Sequence, residues 1–211
     1  MVTIEKLYQQ AGELHGSTCP GVILGVRMSL LGCRLIGIDE PKNSENRKKL
    51  LILVETDRCA TDGIQSVTGC SIGRRTLKVV DYGILAATFY NFETKRAVRI
   101  SVRTDARAKA KDQHPHEVDK NLAYITAYKT LPTEEIFIAE EVTVDLSSFE
   151  LPGPPPPRSQ CNVCGEEILS GREIHRGQTI VCRRCARLPL YYKPTKSIPV
   201  SGSGNQAEFD R

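Results

Sequence analysis

Apolar residues at Ile4, Leu7, Tyr8 and Ala11 recur every three or four positions and mark one face of an N-terminal helix. A second helical stretch runs from Cys19 to Leu35, broken by small residues, with Pro20 suited to its first turn. After the solvated loop "DEPKNSENRKK", Leu50 to Thr56 reads as a buried strand and Ala60 to Thr68 as a short helix that stops near Gly69. The β-branched and aromatic alternation of "YGILAATFYNFETKRAVRISV" predicts two strands joined by a turn near Glu93 to Lys95. Residues 116–130 and 132–138 read as helices, and "IAEEVTVDL" as a closing strand. That order of elements predicts an α+β domain over residues 1–150.

At "LPGPPPPRSQ", residues 151–160, consecutive prolines favour an extended, semi-rigid spacer that can join neither a helix nor a central strand. It sets off a short Cys-rich module at 161–192. Residues 193–211 are rich in Pro, Ser and Gly, lack apolar periodicity, and read as a disordered tail.

Of the 211 residues, 40% are hydrophobic and 26% charged, and none is Trp, a balance that fits a folded chain rather than a disordered one. Apolar runs such as Val22 to Val26 and Leu50 to Val54 fall far short of the roughly 20 residues that cross a bilayer. The polar start from Met1 to Leu7 lacks the apolar core of a secretory signal, so the expected compartment is the cytoplasm. In that reducing setting the eight cysteines point to metal binding or catalysis rather than to disulfides. The net charge of +4 is mild and selects no partner by itself.

Cys161-Asn-Val-Cys164, 17 intervening residues, and Cys182-Arg-Arg-Cys185 match the paired C-x2-C spacing of a tetrahedral zinc site. Gly165 permits the tight turn beside the first pair. So short a module holds too few apolar side chains to fold by burial, so zinc would supply much of its folding free energy. His175 lies between the pairs, but four thiolates already close the site, and it reads as a surface residue. Arg172, Arg176, Arg183, Arg184 and Arg187 could contact phosphates, although such modules bind protein at least as often, and nucleic acid is not the favoured partner.

A second constellation comes from "LHGSTCPGVILGVR" and "VETDRCATDGIQSVTGCSIG". His15 and Cys19 stand four residues apart, and Cys19 would sit at a positive helix end that favours thiolate. Cys59 follows the strand end and Cys70 the short helix; if that helix packs back on the strand, both thiols reach one edge of the sheet. His15, Cys19, Cys59 and Cys70 would then share a pocket suited to zinc or another thiophilic metal. Two other uses of cysteine stay open: packing as small hydrophobes, and dithiol exchange between Cys59 and Cys70. His114 and His116 in a polar stretch, and Arg74 and Arg75 after "GCSIG", are weaker metal and anion candidates.

"HGSTCPG", "LGVR", "VETDRCATDGIQSVTGCSIG" and "VVDYGILAATFY" closely resemble the FmdE family, named after a component of formylmethanofuran dehydrogenase. The resemblance covers most of residues 10–105, and the Pro-linked four-Cys module is similar to the finger many members carry. It implies an α+β domain of mixed helices and antiparallel sheet that often dimerises, a metal-bearing pocket, and a small treble-clef or ribbon-like finger behind it. His15, Cys19, Cys59 and Cys70 fall on motif positions, as do Asp57, Arg58, Asp62 and Gln65, which could line a cofactor pocket. The family often reads His-Gly-His before Cys-Pro-Gly, whereas Ser17 stands here in place of the second His.

The family's namesake reduces carbon dioxide with molybdenum or tungsten, and FmdE proteins are similar to accessory components of such systems. The resemblance therefore implies a metal-binding accessory protein of one-carbon metabolism, a homodimer that could join a molybdenum or tungsten enzyme. Two alternatives stand beside it. One is a metal-dependent enzyme in which Asp57 or Asp62 acts as general base, with Asp57 as a helix cap being its bland counterpart. The other is a regulator whose Arg-rich finger binds nucleic acid.

Overall fold

Thr3 opens the first helix: its hydroxyl accepts the Lys6 amide at 3.4 Å, and α1 runs Ile4–His15 until Gly16 turns the chain at a φ of 90°. The structure, a computed structural model, describes residues 2–147, 151, 157–196 and 198. The proline spacer read at 151–160 lies outside the described residues for 152–156, and the tail read at 193–211 does so for 197 and 199–211. The chain divides into two compact units, residues 1–153 and 154–211.

In the first unit α2, Pro20–Leu35, is continuous. Of the small residues expected to break it, Gly21 and Gly25 instead meet the start of α3, Ala60–Thr68, and Gly32 meets the Phe89 ring; α3 stops at Gly69 with a φ of 68°. Five strands make one sheet in the order β2-β1-β3-β4-β5. They are β1 Leu50–Val54, β2 Leu77–Val79, β3 Ala86–Asn91, β4 Ala97–Val102 and β5 Phe137–Glu141. β2 pairs parallel to β1, and the other three pairings are antiparallel. Phe89, Ile52 and Ile100 from the sheet and Ile23 and Met28 from α2 are fully buried and fill the space between helix and sheet.

Several elements depart from the sequence pattern, each for a local reason. β2 has three residues, too few to show an alternation. α4, Ala106–Gln113, buries only Ala106 and Ala110, so hydrophobic periodicity does not register it. The helix expected from 116 begins at Lys120, because the Asp119 carboxylate accepts the amides of Asn121 and Leu122 and so caps α5, Lys120–Thr130. The helix expected over 132–138 is one turn, α6 Thr133–Ile136, after which Phe137 already belongs to the closing strand.

Among the described residues, the second unit contains two hairpins, β6 Ser159–Gln160 with β7 Glu167–Ile168, and β8 Ile174–Arg176 with β9 Thr179–Val181. Its buried cluster is Cys161, Ile168, Val181, Cys182 and Ala186. A fully buried aliphatic side chain contributes about 1.5–3 kcal/mol, while ordering each residue costs about 1–2 kcal/mol of backbone entropy. So small a cluster cannot balance the order of its hairpins, and a further source of stability is required.

Candidate metal centres

Cys19 and Cys59 are the N-cap residues of α2 and α3, so the positive ends of two helices converge on the two thiols. Glycine makes the convergence possible. A Cβ on Gly63 would stand 2.6 Å from the Val22 carbonyl oxygen, and one on Gly21 would stand 2.9 Å from Cys59 Cβ. Backbone meets backbone where larger residues would hold the helices apart. His15 is the last residue of α1, and the left-handed turn at Gly16 sends the chain back towards Cys19.

The ligand atoms of His15, Cys19 and Cys59 all lie within 4.8 Å of one another, a grouping that could hold a metal ion. Asp62, in the first turn of α3, places its carboxylate 2.7 Å from His15 Nδ1. That bond occupies Nδ1, which leaves Nε2 as the ring nitrogen free for an ion, and a carboxylate so placed fixes both the tautomer and the orientation of the ring. Burial, and then the neighbouring Cys19 thiol, push the Cys59 thiol above its ordinary value despite the helix end. A cation reverses that balance, because it turns the repulsion of two thiolates into shared attraction. Two sulfurs and one nitrogen leave a fourth tetrahedral position open, the arrangement typical of reactive rather than purely structural zinc sites.

Cys70 does not join this group, which corrects the four-residue pocket expected from the sequence. The nine residues of α3 lie between Cys59 and Cys70, and at about 1.5 Å per residue they separate the two ends by roughly 14 Å. One ion cannot bridge that span, nor can a disulfide. Cys70 is fully buried in the core, where its electrostatic neighbour is Cys33 and its amide donates to the Thr68 hydroxyl at 3.2 Å. Burial raises both thiols, Cys33 to about 12, as expected of inert packing cysteines.

The remaining pocket candidates have different places. Asp57 and Arg58 are exposed on the loop before Cys59, 3.9 Å apart, and α3 starts without a side-chain cap, so Asp57 does not cap it. Gln65 is half-buried on α3. Ser17 is exposed between His15 and Cys19. The sequence reading missed the glycines that make the site: Gly21 and Gly25 one turn apart on α2, opposite Gly63 on α3, carry a signal of close helix contact.

In the second unit Cys161, Cys164, Cys182 and Cys185 bring their sulfurs within 4.8 Å of one another. Cys164 and Cys182 stand 3.7 Å apart, where four sulfurs about 2.3 Å from one tetrahedral ion would be separated by about 3.8 Å. The Cys182 amide donates to Cys161 Sγ at 3.3 Å, and the Cys185 amide to Cys182 Sγ at 3.5 Å. Backbone amides, that of Cys182 foremost, pull the Cys161 thiol down to about 6, whereas hydrogen bonding to the Cys164 sulfur pushes Cys185 up to about 12. His175 is exposed and stands outside the cluster. Arg176 donates to the Ala186 carbonyl and Arg183 to the Pro189 carbonyl, so two of the five arginines brace the module's own backbone.

Residues 14–138 match the family model described as FmdE, Molybdenum formylmethanofuran dehydrogenase operon. The chain belongs to the FmdE family. A curated relative from Archaeoglobus fulgidus, named "Probable S-adenosyl-L-methionine-binding protein", is 35% identical over 102 residues, which are 48% of this chain and 28% of that protein. The chain thus spans less than a third of that relative's length. The crystal structure of a tungsten formylmethanofuran dehydrogenase FmdE-like protein from Syntrophus aciditrophicus aligns with a TM-score of 0.61 at 19% identity, covering 88% of this chain and 93% of that one. At that identity the likeness shows a common FmdE-like fold. Among the described residues of this FmdE member, no helix is long and apolar enough to cross a membrane.

Proposed function

We propose that this FmdE member is a metal-binding accessory protein of molybdenum- or tungsten-dependent one-carbon metabolism. It holds zinc in its finger and zinc or another thiophilic ion at His15, Cys19 and Cys59. The observation that carries the reading is the convergence of these three side chains from three helix ends, with Asp62 orienting the imidazole. Zinc in the finger is supported by four sulfurs within 4.8 Å of one another, one pair of them 3.7 Å apart, and by the scarcity of apolar burial around them. The proposal includes a homodimer that works in the cytoplasm beside a molybdenum or tungsten enzyme, with the finger serving protein contacts. Two finger arginines committed to backbone carbonyls weigh against a phosphate-binding role.

A second reading, a metal-dependent enzyme, is favoured by the open fourth position of the three-ligand set. Asp57, exposed just before Cys59, is then the carboxylate available as general base, since Asp62 is engaged with His15.

Cobalt substitution tests the metal assignment. The loaded full chain is expected to show two superposed tetrahedral spectra, one of four-thiolate and one of two-thiolate character. Cys59→Ser should remove the second and leave the first. Azide perturbing only the second spectrum would support the open position. A single four-thiolate spectrum, unchanged by Cys59→Ser, would contradict the N-terminal site. The accessory role is tested by anaerobic co-purification: a molybdenum or tungsten enzyme retained by the full chain supports it, and its absence in cells that make such an enzyme contradicts it.

A further inference from the structure

A cavity of about 840 Å³ opens beside the first metal cluster, within the range of about 300–1,000 Å³ occupied by small-molecule sites. One wall is the start of α2, where Gly21 faces the cavity while a Cβ built on it would lie 3.8 Å from Cys19 Sγ. Leu24, Leu85, Val102 and Tyr124 give the lining an apolar part. Arg103, Arg107, Lys111 and Lys120 give it a cationic part, faced by the single carboxylate of Glu117.

The cationic part is not neutralised locally. Arg103 is paired with Asp105 at 3.1 Å. Among the described residues, Arg107, Lys111 and Lys120 have no carboxylate within ion-pair distance. Arg107 instead lies over the Tyr124 ring, 5.3 Å from its centroid, which holds the guanidinium at the cavity wall. Three uncompensated cations around a concavity attract an anion, and the amide end of α2 adds to the same field. His114, a weak metal candidate by sequence, lines this cavity rather than joining either cysteine cluster.

We infer that the cavity binds a small organic oxyanion, a molecule with a phosphate or carboxylate group on an apolar body. Arg107, Lys111 and Lys120 take the anionic group, and Leu24, Leu85 and Val102 pack on the body. The cavity reaches the start of α2 at Pro20 and Gly21, the residues that follow Cys19, while His15, Cys19 and Cys59 themselves are not among its lining. The inference stands on the lining alone and does not require the ion.

The test uses the full chain, zinc-loaded and labelled with nitrogen-15, titrated at low salt with phenyl phosphate, inorganic phosphate and phenol. Phenyl phosphate is expected to shift the amides of Gly21, Val102, Arg107 and Tyr124. It should bind at least about tenfold more tightly than either fragment, because charge-assisted bonds and ring burial act together. Arg107→Glu with Lys111→Glu should weaken it by a further factor of about ten or more, and Arg96→Glu on a distant turn should leave it unchanged. Metal content measured on the same samples separates this outcome from the fate of the metal proposal. If charge reversal disturbs the amide spectrum as a whole, Arg107→Gln with Lys111→Gln decides. Shifts absent from these amides, phenol binding as well as phenyl phosphate, or undiminished binding in the folded charge variant would each overturn the inference.

Discussion

His15 is made a ligand by Asp62 as much as by its own ring. The carboxylate 2.7 Å from Nδ1 sets tautomer and orientation together, and partners of this kind typically account for about 10–100-fold in metal affinity. Asp62→Ala should weaken the N-terminal ion by that factor in a competitive chelator titration, with Asp62→Asn milder because its amide oxygen can still accept from the ring. In the finger the thiols divide: Cys161 is pulled down to about 6, while Cys164 is raised and Cys185 is pushed to about 12. At pH 7 the first is mostly thiolate and the other two carry protons, so zinc uptake should release at least two protons. The thiolate character of Cys161 is present at alkaline pH and is lost as pH falls through about 6, so affinity should fall more steeply below that point. Calorimetry in buffers of different ionisation heat counts these protons. The four finger cysteines were legible from their paired spacing, and His15 and Cys19 were singled out as neighbours four residues apart, whereas Cys59 comes from a separate segment and was joined to them only through the resemblance and an assumed helix packing. The sequence misplaced Cys70, because a cysteine after a helix reads the same whether that helix returns the chain to the site or carries it away.

The site depends on how α2 and α3 meet. Gly63 leaves no room for a side chain against the Val22 carbonyl, and Gly63→Ala should force the helices apart, costing about 1–3 kcal/mol. Urea unfolding reads that loss, and because Cys19 and Cys59 cap the same two helices, metal bound by the first unit should fall with it. Elements with strong periodicity, α1, β3 and β4, were legible in the pattern of apolar positions, and α2 was legible apart from the break its small residues suggested. β2 was hidden by its three residues and α4 by burying only two alanines. The end of the predicted helix at 132–138 was lost to tertiary pairing, where Phe137 takes its place opposite Val102 in the sheet.

The two units rest on different physics. The first holds a continuous apolar core from α1 to β5, whereas the second, among the described residues, has a core cluster of five buried side chains, two of them metal-ligand candidates. A chelator should therefore collapse the amide signals of β6–β9 and leave those of the five-stranded sheet in place, which a single spectrum of the full chain would show. The measurement that bears most directly on the whole account is metal content per chain for full-length protein purified without oxygen and equilibrated with zinc. Two ions are expected in the wild type and in Cys70→Ala, and one in Cys59→Ser. A folded wild type carrying one ion, or a Cys59→Ser variant that still carries two, would contradict the N-terminal metal site.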